Sequence, residues 1–284
     1  MPAPLLFVLS GLTQYAGAAI AVGLFGTLDP TAVAWLRIAL AAVVLVAWAR
    51  PWRGAWDRRR WVTTAAFGLV LAAMNVCFYV AIAHLPLGTA VALEFSGPVA
   101  VGALTGRGWR ERSAIAVAAP GVALLAGVSL RLGPSARIGL VAIGLAACFW
   151  AAYILLGRRV ATGTQGLSGL AVGMAVGALA FAPFLARGAR PVLGDWRLAL
   201  AVVGVAVLSS VVPYAIEQVV LRRVSAATFA VLLALLPATA AVVGAVALRQ
   251  VPHGLELVGL ALVCGAIALT ARRAEAGVEA PPPA

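Results

Sequence analysis

The chain contains no lysine, and only 11% of its 284 residues are charged. Soluble domains carry about 25% charged residues and about 45–50% apolar ones. Here 63% of residues are hydrophobic and the mean hydropathy is +1.05. No soluble core can hide that much apolar surface, so the solvent for most of the chain is lipid. Cysteine is also scarce. Cys77, Cys148 and Cys264 lie singly in apolar runs without a CxxC partner, which excludes a disulfide scaffold. The two histidines, His84 and His253, fall at the ends of apolar segments, and no HExxH or GxSxG motif or intramembrane aspartate pair occurs. Hydrolytic enzymes and metal centres therefore have no sequence support, and neither a metal nor a cofactor is expected.

What is abundant is arginine and long apolar runs. All 21 basic residues are arginine, for a net charge of +12. Such a balance can mark nucleic-acid binding. These arginines sit in short loops between apolar segments, so they report membrane orientation instead. Ten segments are predicted to span the bilayer as helices, near 5–25, 30–49, 61–83, 86–105, 113–130, 138–157, 166–186, 196–220, 225–248 and 255–271. They are too long, and too little alternating, for barrel strands. Leu5–Phe25 lacks a basic leader and is interrupted by Gln14 and Tyr15, so it reads as a retained helix. The tail after Arg273 reads as disordered.

One set of loops holds fourteen arginines, the opposite set six, and Arg37 lies inside a helix. That bias predicts that both termini face the cytoplasm, as an even helix count requires. Trp48, Trp52, Trp56, Trp61, Trp109 and Trp196 fall near helix ends, where an aromatic belt forms.

The halves are weakly alike. A shift of 139 residues lays Thr89 on Thr228, Leu93 on Leu232 and Pro98 on Pro237. Five helices per half would invert the second half in the membrane, as in many secondary transporters. The expected fold is therefore all-α, with ten transmembrane helices in two inverted five-helix repeats, 1–136 and 137–273, and a cytoplasmic tail 274–284. A solute site is expected near the midplane between the halves.

Ionisable side chains inside spans are costly, about 2.5–3.5 kcal/mol on insertion scales, and so are functional candidates. Arg37, Glu94 and Glu217 stand out. Arg37 and Glu94 lie roughly 10 and 12 Å in from the same face, at 1.5 Å per residue, so a direct pair is expected. Gln14, Asn75, Tyr79, Tyr153, Tyr214 and Gln218 add amides and phenols. This set suits a zwitterionic solute, the arginine taking a carboxylate and a glutamate an amine. Glu94 and Glu217 are the candidate proton-coupling residues. Pro98, Pro213 and Pro237 are candidate hinges, because proline removes a helical hydrogen bond and leaves a carbonyl free. Pro98 and Pro120 are expected to break their helices. Gly173 and Gly177, at GxxxG spacing, suit close helix packing.

The block Met74-Asn75-Val76-Cys77-Phe78-Tyr79, continuing through Pro86-Leu87-Gly88-Thr89 to Leu93-Glu94-Phe95-Ser96-Gly97-Pro98, resembles the EamA-type drug/metabolite transporters. It is similar in particular to their bacterial threonine/homoserine exporter subgroup, as are Trp35-Leu36-Arg37 and Pro213-Tyr214 with Glu217. The resemblance implies inner-membrane location and amino-acid efflux driven by the proton gradient. The implied partners are a small-molecule solute, protons and the bilayer, with no nucleic acid. Two positions depart from the subgroup's pattern. Leu236 stands before Pro237 where a glutamate is usual, and Arg249-Gln250 stands where Gly-Glu often closes the ninth helix. An uptake or exchange transporter for another small metabolite is the alternative, and an intramembrane enzyme a weaker one.

Overall fold

The computed structural model describes residues 3–105, 109–131, 133–160, 166–213, 216, 220 and 232–271. Among these residues the ordered elements are all helical. We label them α1 (Ala3–Leu24), α2 (Pro30–Ala49), α3 (Arg58–Ile82), α4 (Leu87–Glu94), α5 (Ser96–Thr105), α6 (Trp109–Leu130), α7 (Pro134–Val160), α8 (Gly166–Leu185), α9 (Pro191–Gly194), α10 (Trp196–Ala206), α11 (Leu235–Leu248) and α12 (Leu255–Ala271). A five-residue π-helical segment, Val207–Val211, continues α10. The sequence tail beyond Arg273 lies outside the described residues.

The helices begin where the few acids sit. Asp29, Asp57 and Asp195, the chain's three aspartates, are N-caps of α2, α3 and α10. Their carboxylates accept from the backbone N–H of Thr31 at 2.8 Å, Arg60 at 2.7 Å and Arg197 at 2.8 Å. Each satisfies an otherwise orphaned helix donor. The caps lengthen α3 to Arg58, three residues before the apolar run begins. Arg50 closes α2 in the left-handed region at φ 47° and Arg249 closes α11 at φ 58°.

Among the described residues six helices are long and apolar enough to cross a membrane, and four shorter apolar helices accompany them. Large apolar side chains point outward, among them Leu104, Phe184 and Val246, each 80% exposed. In water that surface would be prohibitive, whereas in lipid it meets its own kind. Trp48, Trp52, Trp61, Trp109 and Trp196 are exposed near helix ends, and Trp56 lies under the Arg60 guanidinium, 3.9 Å from its ring centre.

α3 packs on α7 and α8, α2 on α8, α6 on α12, and α1 on α11. α4 packs on α7 and α11, while α10 and its π-helical extension pack on α1 and α2. Backbones approach closely where glycine removes the side chain. A Cβ on Gly68 of α3 would stand 1.9 Å from the Gly173 carbonyl oxygen of α8, and one on Gly177 2.5 Å from that of Gly68. The Gly173/Gly177 spacing is thus a helix–helix contact. One apolar core runs through α1, α3, α4, α7, α11 and α12, and a second joins α2, α3 and α8.

The prolines divide into two kinds. α6 runs through Pro120 without a break, against the sequence expectation. Pro120 is exposed, so its ring and the carbonyl it frees face outward. The helix containing Pro98 is interrupted at Phe95, between α4 and α5.

Candidate functional site

The polar interior is organised by Pro213. Proline has no N–H, so Pro213 cannot bond the Ser209 carbonyl four residues back. The chain before it widens into the π-helical turn Val207–Val211, a form often found at functional sites. Arg37 of α2 meets the freed group. Its Nη2 donates to the Ser209 carbonyl at 2.9 Å and its Nε to the Ser210 hydroxyl at 3.0 Å. Ser209 in turn donates from Oγ to the Gln14 carbonyl of α1 at 3.0 Å. Gly17 makes room for this, because a Cβ there would sit 2.2 Å from Ser209 Oγ. One arginine and two serines thereby tie α1, α2 and the π-helical segment together. Hydrogen bonds to a charged group contribute about 1.5–3 kcal/mol each.

Tyr79 of α3 forms the other wall. Its ring centre lies 5.6 Å from the Arg37 guanidinium carbon, within cation–π range. Phe25 meets the ring edge-on at 6.2 Å. Tyr79 is fully buried, and its hydroxyl finds no hydrogen-bond partner among the described residues. An unsatisfied buried hydroxyl costs about 1–3 kcal/mol, so it signals function or stored strain. One turn earlier, Asn75 is buried and donates from Nδ2 to the Leu71 carbonyl at 2.9 Å.

Glu94 is the last residue of α4 and is only 8% exposed. Pro98, half-buried in the first turn of α5, offers no N–H to the Glu94 carbonyl four residues back. The expected direct pair with Arg37 is not formed: among the described residues no ion pair within 4.0 Å joins them. The reason is topological. Arg37 faces the π-helical segment and Tyr79, whereas α4 packs on α7 and α11. Arg37 remains within electrostatic reach of Glu94, but its hydrogen bonds go to the π-helical segment.

The other sequence candidates scatter. Gln14 joins the node through its backbone carbonyl. Tyr153 stacks on Phe67 at 4.7 Å, beside the α2–α3–α8 core. Pro237 is buried in the first turn of α11. Tyr214, Glu217 and Gln218 lie outside the described residues. Ser209 was missed from sequence, yet counting four residues back from Pro213 identifies it. No group of histidine, cysteine and acidic side chains suited to a metal occurs among the described residues.

A second polar region lies at the end of α11. A cavity of about 450 Å³ is lined by Pro86, Thr89, Arg249, Gln250, His253 and Glu256 among others. Gln250 Oε1 accepts from the Leu87 N–H at 2.9 Å, closing the N-terminus of α4. The departure from Gly-Glu thus keeps an acceptor at position 250 for this bond.

The threonine/homoserine exporter RhtA of Salmonella typhimurium (strain LT2) is 34% identical over 265 residues, covering 93% of this chain and 89% of that protein. RhtA of Escherichia coli (strain K12) is 34% identical over 251 residues, covering 88% and 84%. Residues 137–272 match the EamA-like transporter family. The chain belongs to that family. It is accordingly a multi-pass membrane protein of a transporter family and not an enzyme. A crystal structure with 20% identity superposes on this EamA-like transporter with a TM-score of 0.60, covering 94% of this chain and 96% of the other, which supports the fold alone.

Proposed function

We propose that this EamA-like transporter exports a small amino acid of the threonine or homoserine type across a bacterial inner membrane by proton antiport. The observation that carries the reading is a pair of opposite charges inside the bundle that form no ion pair within 4.0 Å. The Arg37 guanidinium is half-buried beside Tyr79, and the Glu94 carboxylate is buried at the α4–α5 interruption. A zwitterion offers a carboxylate to the first and an ammonium to the second. The names of the relatives supply the solute class. In this reading Glu94 and Glu217 exchange protons for amine. Gln14, Asn75, Tyr79, Tyr153, Tyr214 and Gln218 join Arg37 around the solute, and Pro98, Pro213 and Pro237 are hinges.

The repeat reading, 1–136 against 137–273, gains support from the interruptions. Phe95 and Ala234 each break a helix three residues before a proline, and they stand 139 positions apart, as the sequence shift requires. Their backbones agree, with φ/ψ of −63°/−12° and −63°/−16°. Packing supports it too. If each helix of the first half has a mate in the second, α3 on α7 mirrors the α10 unit on α1. Likewise α1 on α11 mirrors α7 on the α4–α5 unit. The arginine bias supports cytoplasmic termini and a cytoplasmic tail 274–284.

The test is purified protein in liposomes with a proton gradient. Saturable, gradient-driven movement of threonine or homoserine, with counterflow, is the expected result. Uptake in the direction of proton flow would replace export with the alternative direction, and indifference to the gradient would remove antiport.

A further inference from the structure

We infer that Arg37 is a latch between α2 and the π-helical segment that only a solute carboxylate can open, so that the Ser209 carbonyl and the Ser210 hydroxyl determine specificity without needing to touch the solute. The inference rests on the amino-acid reading above and goes beyond it.

Three observations converge on the latch. Its acceptors are unlike in kind: a backbone carbonyl made available by Pro213, and a hydroxyl on the next residue. They belong to a segment whose helix is already widened, so releasing the guanidinium leaves no regular helical bond to be broken there. Tyr79 supports the guanidinium from one side at 5.6 Å, while its buried hydroxyl has no hydrogen-bond partner among the described residues. A group left unsatisfied in one arrangement gains by any rearrangement that brings it a partner. An arriving carboxylate can supply both changes, since it accepts two guanidinium hydrogen bonds in parallel and has lone pairs left for a phenol.

Arg37 gives up two neutral acceptors and gains two anionic oxygens in a bidentate pair, and that gain offsets leaving the Ser209 carbonyl and Ser210 hydroxyl without their donor. A solute lacking a carboxylate cannot make that exchange. The α2–segment contact then stays closed, and the bundle does not rearrange. Loading is thereby coupled to movement by competition for one guanidinium.

The experiment compares threonine with threonine amide, which keeps the ammonium and hydroxyl but has no carboxylate. Ser210→Ala removes one acceptor. The threonine-to-amide ratio of kcat/KM should fall about tenfold, as expected for one hydrogen bond to a charged group. Ser210→Thr should restore it. Pro213→Ala gives the Ser209 carbonyl a helical donor and should lower the ratio by the other route. A reading independent of solute uses spin labels on lipid-facing Val43 of α2 and Val203 of α10, after replacement of Cys77, Cys148 and Cys264. Ser210→Ala should broaden the wild-type distance distribution, and threonine should shift the wild type the same way. If the wild type carries threonine but neither the ratio nor the distances respond to Ser210→Ala and Pro213→Ala, the latch is wrong and the transport reading stands. If the distances respond while the wild type carries neither compound, the latch stands and the amino-acid assignment falls.

Discussion

Pro98 and Pro213 interrupt their helices, whereas Pro120 and Pro183 do not, although all four lie inside apolar segments. The difference is which way each faces. Pro120 and Pro183 are exposed, Pro213 is buried and Pro98 half-buried. Each proline frees a carbonyl four residues back. On the outer surface the helix continues through the loss. In the interior the freed carbonyl belongs to Glu94 in one case and Ser209 in the other. Both interior sites carry a side chain that matters. At Ser209 the opening is answered by Arg37, while at Glu94 no ion pair within 4.0 Å answers it among the described residues. One interruption is closed by a cation; the other, in the proposed function, receives a solute amine or a proton.

The sharpest way to break that comparison is at Glu94. Glutamine is nearly isosteric and uncharged, so Glu94→Gln should insert and fold, yet proton-driven export should be lost. Gradient-driven efflux from proteoliposomes reads this. Export at the wild-type rate, with the wild-type response to a collapsed gradient, would make Glu94 structural and move attention to Glu217.

Arg37→Ala should come next. It leaves the Ser209 carbonyl and Ser210 hydroxyl without their donor, and should lower unfolding free energy by roughly 2–4 kcal/mol. Thermal unfolding in detergent measures it. A double-mutant cycle sharpens the contrast. Arg37→Ala should couple more strongly to Ser210→Ala, its hydrogen-bond partner, than to Glu94→Gln, with which it makes no ion pair within 4.0 Å. Strong coupling to Glu94 instead would mean that the pair forms in solution.

The dry side of the bundle should respond to size alone. Gly68→Ala places a methyl against the Gly173 backbone and should cost about 1–3 kcal/mol, with KM unchanged in whatever protein folds. The smallest effect belongs to the outward prolines. Pro120→Ala and Pro183→Ala should leave transport unchanged and keep or raise the melting temperature. Impaired transport in either would show that orientation does not separate the two kinds of proline.

Much of this was legible in the residues. Helix positions followed from apolar runs, whereas the caps at Asp29, Asp57 and Asp195 came from the structure. Arg37 and Glu94 declared themselves because a charge in lipid is costly. Arg37 acts on Glu94 as a charge but makes no ion pair with it within 4.0 Å. Depth along a helix does not reveal which acceptors compete for the guanidinium. Pro120 was misread for a related reason. A proline's effect depends on whether its freed carbonyl faces lipid or the interior, and a single helix does not carry that information.

The amino-acid sequence by itself determined that the chain lives in a bilayer, where its helices lie, and which charges are too costly to be incidental. These are local properties, set by transfer free energies and backbone hydrogen bonding along one segment. Only the tertiary structure decided what Arg37 holds. Its acceptors lie more than 170 positions away. They became available through a proline and a glycine on two other helices, and only packing brings four such segments to one point.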